Sequence, residues 1–118
     1  MKKIIHVDNS DFFRKQMRTF LEAEGFEVES HEKAQEANFA IVGGTADMVI
    51  MGMTFEDIEG EQFLLQTQEN FTGPIAVVSS SMDAEMAKKL IDIGAIAALN
   101  KSGHWKEGLM SHLAALKK

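Results

Sequence analysis

Short apolar runs alternating with amphipathic stretches predict a doubly wound α/β fold, a five-stranded parallel sheet flanked by five helices. Two further observations sharpen this. Met48 to Met53 is a continuous apolar run, as in a strand covered on both faces. Asp8, Asn9, Ser79 and Lys101 each fall where an apolar run ends, and right-handed crossovers gather such residues, with Gly52, at the carboxyl rim of the sheet.

The elements follow in order. Ile4, Ile5 and Val7 form the first strand, and Ser10 can cap a helix whose Phe13, Met17, Phe20 and Leu21 share one face. Gly25 ends that helix. Phe26 to Ser30 alternates apolar and acidic residues as an edge strand does, and Glu32 to Val42 carries Ala34, Ala37 and Ile41 at helical spacing before Gly43 and Gly44 stop it. Met48 to Met53 is the third strand. Phe63, Leu64 and Thr67 give a third helix its inner face, and Ile75 to Val78 is a fourth buried strand. Ser81 or Met82 opens a helix with Met86, Leu90 and Ile93 inward. Ala95 to Leu99 is the fifth strand, and Leu109, Leu113 and Leu116 line the last helix.

The 118 residues suit one domain, residues 1–118, with one core and no room for an output module. With 45% hydrophobic and 25% charged residues, the composition is that of a globular protein. No apolar run reaches membrane-spanning length and the start does not read as a signal peptide, so the expected location is cytoplasmic. Zero Cys excludes disulfides and thiolate metal sites. A net charge of -6 argues against binding nucleic acid or an anionic membrane, and leaves a protein partner.

Asp47-Met48-Val49-Ile50-Met51-Gly52-Met53-Thr54-Phe55-Glu56-Asp57-Ile58-Glu59-Gly60 reads as a buried strand running into an acidic, Gly-closed loop. With Lys2-Lys3-Ile4-Ile5-His6-Val7-Asp8-Asn9-Ser10, Pro74-Ile75-Ala76-Val77-Val78-Ser79-Ser80 and Gly94-Ala95-Ile96-Ala97-Ala98-Leu99-Asn100-Lys101, it resembles the receiver domains of two-component systems, the CheY-like branch of the flavodoxin-like folds. The resemblance covers nearly the whole chain. It implies that Asp8 and Asn9 stand for the family's acidic pair, Gly52 for its phosphoacceptor aspartate, Ser79 for its hydroxyl residue and Lys101 for its lysine. It also implies Ala98 for the switching aromatic and Ser102 for a proline, which leaves open whether the Lys101-Ser102 peptide bond is cis.

Glycine cannot attack phosphorus or bind a metal through a side chain. The resemblance therefore implies no catalytic residue and no enzyme activity. The Mg²⁺ ligands it implies, Asp8, Asn9 and the Thr54 carbonyl, are one acidic and two neutral, so Mg²⁺ binding is expected to be weak or absent. Asp8 and Lys101 then read as an ion pair spanning the rim.

Other acids open a rival reading, self-phosphorylation on a displaced acid such as Asp57 or Asp8. Against it, Asp11 reads as a helix-start carboxylate, and Glu56 and Asp57 as solvated loop acids. Ser79 and Ser80 have no evident activating base. His6 reads as a satisfied core or sheet-face histidine, and His104 and His112 lie too far apart for a compact metal site. A third reading is a small-ligand sensor that fills the gap at Gly52.

The leading expectation is a stand-alone atypical receiver, a monomer or weak dimer, that binds a signalling protein without being phosphorylated. The resemblance points to the face made by the fourth helix, fifth strand and fifth helix, with Ala98, His104, Trp105 and Met110 as its contacts. Trp105 reads equally as an interface anchor or as a cover for the sheet edge. The eight Met residues include Met17, Met48, Met51 and Met86 at core positions.

Overall fold

A computed structural model describes all 118 residues. Five strands alternate with five helices: β1 Lys3–Val7, α1 Asp11–Ala23, β2 Glu27–His31, α2 Ala34–Val42, β3 Met48–Met51, α3 Gly60–Asn70, β4 Ile75–Ser79, α4 Ala84–Ile93, β5 Ala97–Asn100 and α5 Trp105–Lys117. The strands form one parallel sheet in the order β2-β1-β3-β4-β5, as expected from the sequence. β1, β3 and β4 are central and their side chains are almost wholly buried, which is why they lack polar alternation.

Side chains leave each strand to opposite faces, so the sheet divides the core in two. Ile4, Met48, Ile50 and Val78 pack with Phe13, Met17, Leu21, Leu109 and Leu113 from α1 and α5. Ile5, Val49, Met51 and Val77 pack with Ala37, Ile41, Phe63, Leu64 and Leu90 from α2, α3 and α4. Each fully buried side chain of this size contributes about 1.5 to 3 kcal/mol.

The helix starts show local chemistry overriding periodicity. Ser10 accepts the Phe13 amide at 3.1 Å and opens α1 as expected. α4 begins two or three residues later than its pattern suggests, because Asp83 accepts the Met86 amide at 2.8 Å while Met82 turns into the core. α2 starts at Ala34 rather than Glu32, and the preceding Lys33 gives it no cap. Instead Asp57 reaches over from the loop after β3 and accepts the Ala34 and Gln35 amides at 3.3 and 3.0 Å. β5 starts at Ala97, and no peptide bond is cis, so Lys101-Ser102 is trans.

His6 departs from expectation. It is fully buried beside the Phe13 ring, but neither ring nitrogen has a hydrogen-bond partner, so it is not a satisfied core histidine. Burial, reinforced by the charges of Lys101, Arg14 and Arg18, pushes its pKa down to about 3. The unfolded chain therefore binds a proton at His6 near pH 6.5 while the folded chain does not. Stability is full above about pH 6.5 and falls with acidification towards pH 3, by up to about 1.4 kcal/mol per pH unit from this group. His6→Leu removes two orphaned polar atoms, and denaturant titrations between pH 4 and 8 are expected to show a flatter acid limb without lost stability at neutral pH. An acid limb as steep as that of the parent would show that other groups govern it.

Candidate functional site

Parallel strands all end at the same rim, so the residues after β1, β3, β4 and β5 meet although they are far apart in sequence. Asp8 follows β1, Gly52 follows β3, Ser79 closes β4 and Lys101 follows β5. The Gly52 amide donates to the Val7 carbonyl at 2.9 Å and the Lys101 amide to the Ser79 carbonyl at 3.0 Å, so each ladder runs one residue past its strand. These bonds fix the rim backbone.

The centre of the rim is an ion pair. Lys101 Nζ lies 3.0 Å from both Asp8 carboxylate oxygens, and the Asp8 side chain is only 2% exposed. The Ser10 amide donates to Asp8 Oδ1 at 2.9 Å, and Arg14 holds the Asp8 backbone carbonyl at 2.6 Å. The Lys101 ammonium also sits 4.4 Å from the Phe13 ring centre. A Cβ on Gly52 would lie 2.8 Å from Asp8 Oδ2, closer than unbonded atoms tolerate. The absent side chain is thus what leaves room for the Asp8 carboxylate.

Of the expected metal donors, Asn9 and Thr54 are exposed, and Thr54 is bridged to Glu59. Asp8 Oδ1 accepts from Lys101 and the Ser10 amide, Oδ2 has only the charge contact with Lys101 and no hydrogen bond, and no cluster of three acidic or histidine side chains gathers elsewhere. This donor set does not fit a divalent cation, which favours several oxygens and one or two free carboxylates.

Asp57, offered above as a displaced acceptor, spends both oxygens on the start of α2, whereas Asp11 pairs with Arg14 and Lys15 on the surface. Ser79 is buried and its hydroxyl accepts the Ser81 amide at 3.2 Å. Five surface cavities of about 330 to 620 Å³ are not lined by Gly52, Asp8, Ser79 or Lys101, so the gap at Gly52 offers no ligand pocket among them.

The expected contact residues separate. Ala98, His104 and Trp105 line a groove of about 330 Å³ between α4, β5 and α5, and Met110, 42% exposed, does not. His104 is exposed at the start of α5. Trp105 corrects the anchor reading. It is 6% exposed, with its ring edge-on to Phe13 and Phe20 at 5.1 and 5.5 Å, because the first turn of α5 lies over α1 and drives the indole into the core.

Arg14 and Asn100 escaped the sequence reading. Asn100 donates to the Met82 carbonyl at 2.8 Å and accepts the Ser102 amide at 2.7 Å. Its signal was a lone amide ending an apolar strand.

Residues 4–113 match the family model described as the response regulator receiver domain. A CheY-like receiver domain protein from Methanospirillum hungatei JF-1 superposes with a TM-score of 0.87 at 22% identity, over 99% of this chain and 94% of that one. The chemotaxis response regulator CheY4 of Vibrio cholerae does so with a TM-score of 0.79 at 26% identity, over 98% of each. A Burkholderia pseudomallei response regulator, solved with a phosphorylated aspartic acid, a calcium ion and citrate, matches at 19% identity with a TM-score of 0.81, over 98% of this chain and 66% of that one. No curated protein matches the sequence.

Two stability measurements check this geometry. Lys101→Ala leaves Asp8 buried and uncompensated and is expected to cost about 3 to 5 kcal/mol, most of it recovered by combining Asp8→Leu with Lys101→Met. Urea denaturation of the parent and these two variants decides it, and a cost within the 0 to about 1 kcal/mol of an exposed pair would mean that the two groups are not coupled. Trp105→Ala is expected to destabilise by about 3 to 5 kcal/mol through the cavity it leaves, against almost nothing for an exposed anchor.

Proposed function

The chain belongs to the response regulator receiver domain family, and we propose that it is an atypical member that works by binding a protein partner without aspartyl phosphorylation. One observation carries this reading. Gly52 stands at the end of β3, where the family resemblance places the phosphoacceptor, and the space beside it is taken by Asp8 in its pair with Lys101. The nucleophile is missing, and the lysine that would hold phosphoryl charge already has an anion.

The metal logic points the same way. Mg²⁺ would have to displace Lys101 from Asp8 and find its other protein ligands in neutral Asn9 and a backbone carbonyl, so binding is weak. Neither rival gains support. Asp57 is committed to α2, and Asp8 could accept a phosphoryl group only by giving up Lys101.

The partner surface in this reading is the face of α4, β5 and α5, where Ala98 and the exposed His104 border the groove. With no trigger at position 52 and no aromatic at position 98, that face has one state to present, and binding does not respond to phosphodonors.

Intact mass after incubation with acetyl phosphate and Mg²⁺ is expected to show no added phosphate. A gain of one phosphate on any rim residue overturns the proposal. Gly52→Asp alone is expected to phosphorylate poorly, because Asn9 leaves the metal one carboxylate short, and Asn9→Asp with Gly52→Asp to do better. Equal uptake by both variants would mean that Asn9 is not limiting.

A further inference from the structure

The two turns that border the groove are joined by one side chain. Asn100 is the last residue of β5, and its amide uses both ends: Nδ2 donates to the Met82 carbonyl in the turn after β4, and Oδ1 accepts the Ser102 amide in the turn after β5. The distances, 2.8 and 2.7 Å, are those of well-formed bonds. Met82 is itself 8% exposed and packed into the core, so the carbonyl is presented from a fixed point. The turn after β5 closes on the same residue, with the Gly103 amide donating to the Asn100 carbonyl at 3.0 Å.

An aliphatic side chain at this place could pack but could not link the turns. Ser79 ties down only its own turn through Ser81, and the Lys101 amide links the strands β4 and β5 but not the segments beyond them. Asn100 thus makes the side-chain connection between residues 80–83 and 101–104, the two segments that bring Met82, Asp83, Gly103 and His104 to the groove.

We infer that Asn100 is a built-in strap that fixes the turn after β4 to the turn after β5 and so holds the groove between α4 and α5 at one width. The inference rests on the proposed function for its purpose, a partner surface kept in a single state without a trigger. A face that is never to be switched gains from losing its freedom beforehand, since the ordering cost is then not met at binding.

Amide hydrogen exchange followed by NMR on the full chain, with no phosphodonor and no partner, tests it. In Asn100→Ala, the Ser102 amide and the amides of residues 81–83 are expected to exchange together, roughly tenfold faster, while β1 and β3 are unchanged. Asn100→Asp keeps the acceptor for Ser102 but sets a carboxylate against the Met82 carbonyl. It is expected to leave Ser102 protected and loosen residues 81–83 alone.

Faster exchange confined to Ser102 in Asn100→Ala, or spread over the whole sheet, overturns the strap. If Asn100→Ala does not fold, Asn100→Asp decides alone: selective loosening of residues 81–83 supports the strap, and equal behaviour of both turns removes it. Failure here leaves the phosphorylation-independent reading intact, because no phosphoryl chemistry is measured. Phosphate uptake by the parent would instead remove that reading and leave the exchange result standing.

Discussion

A lysine and an aspartate separated by 93 positions in sequence hold the rim of this molecule together. Asp8 leaves the end of β1 and Lys101 the end of β5, and β3 and β4 lie between those strands in the sheet, so the pair spans the two central strand ends. Burying a carboxylate to 2% exposure is costly unless its charge is met, and Lys101 meets it while the Ser10 amide occupies one oxygen from the other side. The local features follow from that. Gly52 leaves room for the carboxylate, Arg14 holds the strand end from behind, and the Phe13 ring lies under the ammonium.

The sequence made the fold legible because its signals were redundant. The apolar run Met48 to Met53, the spacing of Phe13, Met17 and Leu21, and the glycine at 25 each point to the same topology, and errors at single ends did not propagate. Boundaries failed where one hydrogen bond outweighed the pattern. Asp83 moved the start of α4, and no local reading could expect the α2 cap to come from Asp57, 23 residues away. Proximity of the rim residues was legible from topology alone; their closure on one another was only partly so, since it depends on side-chain reach.

Trp105 shows what composition cannot decide. An indole at the first turn of a helix satisfies an interface rule and a core rule equally, and the choice depends on whether the helix start faces solvent or a neighbour. Here α5 lies against α1, so Phe13 and Phe20 receive it. His6 is the converse case: a strand position implied burial correctly, but nothing in the sequence shows whether a buried ring finds partners.

The closure of Asp8 on Lys101 also means that position 52 is not an empty slot awaiting its aspartate. A side chain there meets Asp8 Oδ2 at its first carbon, so a carboxylate at 52 must shift the Asp8 carboxylate within its buried ion pair to be accommodated. Two carboxylates then share one lysine, and like charges this close raise the energy of the ionised pair unless a cation joins them. The neutral Asn9 withholds the charge that would attract such a cation. Glycine at 52 and asparagine at 9 are therefore energetically linked through Asp8: each suits a rim that carries one negative charge and balances it internally with Lys101.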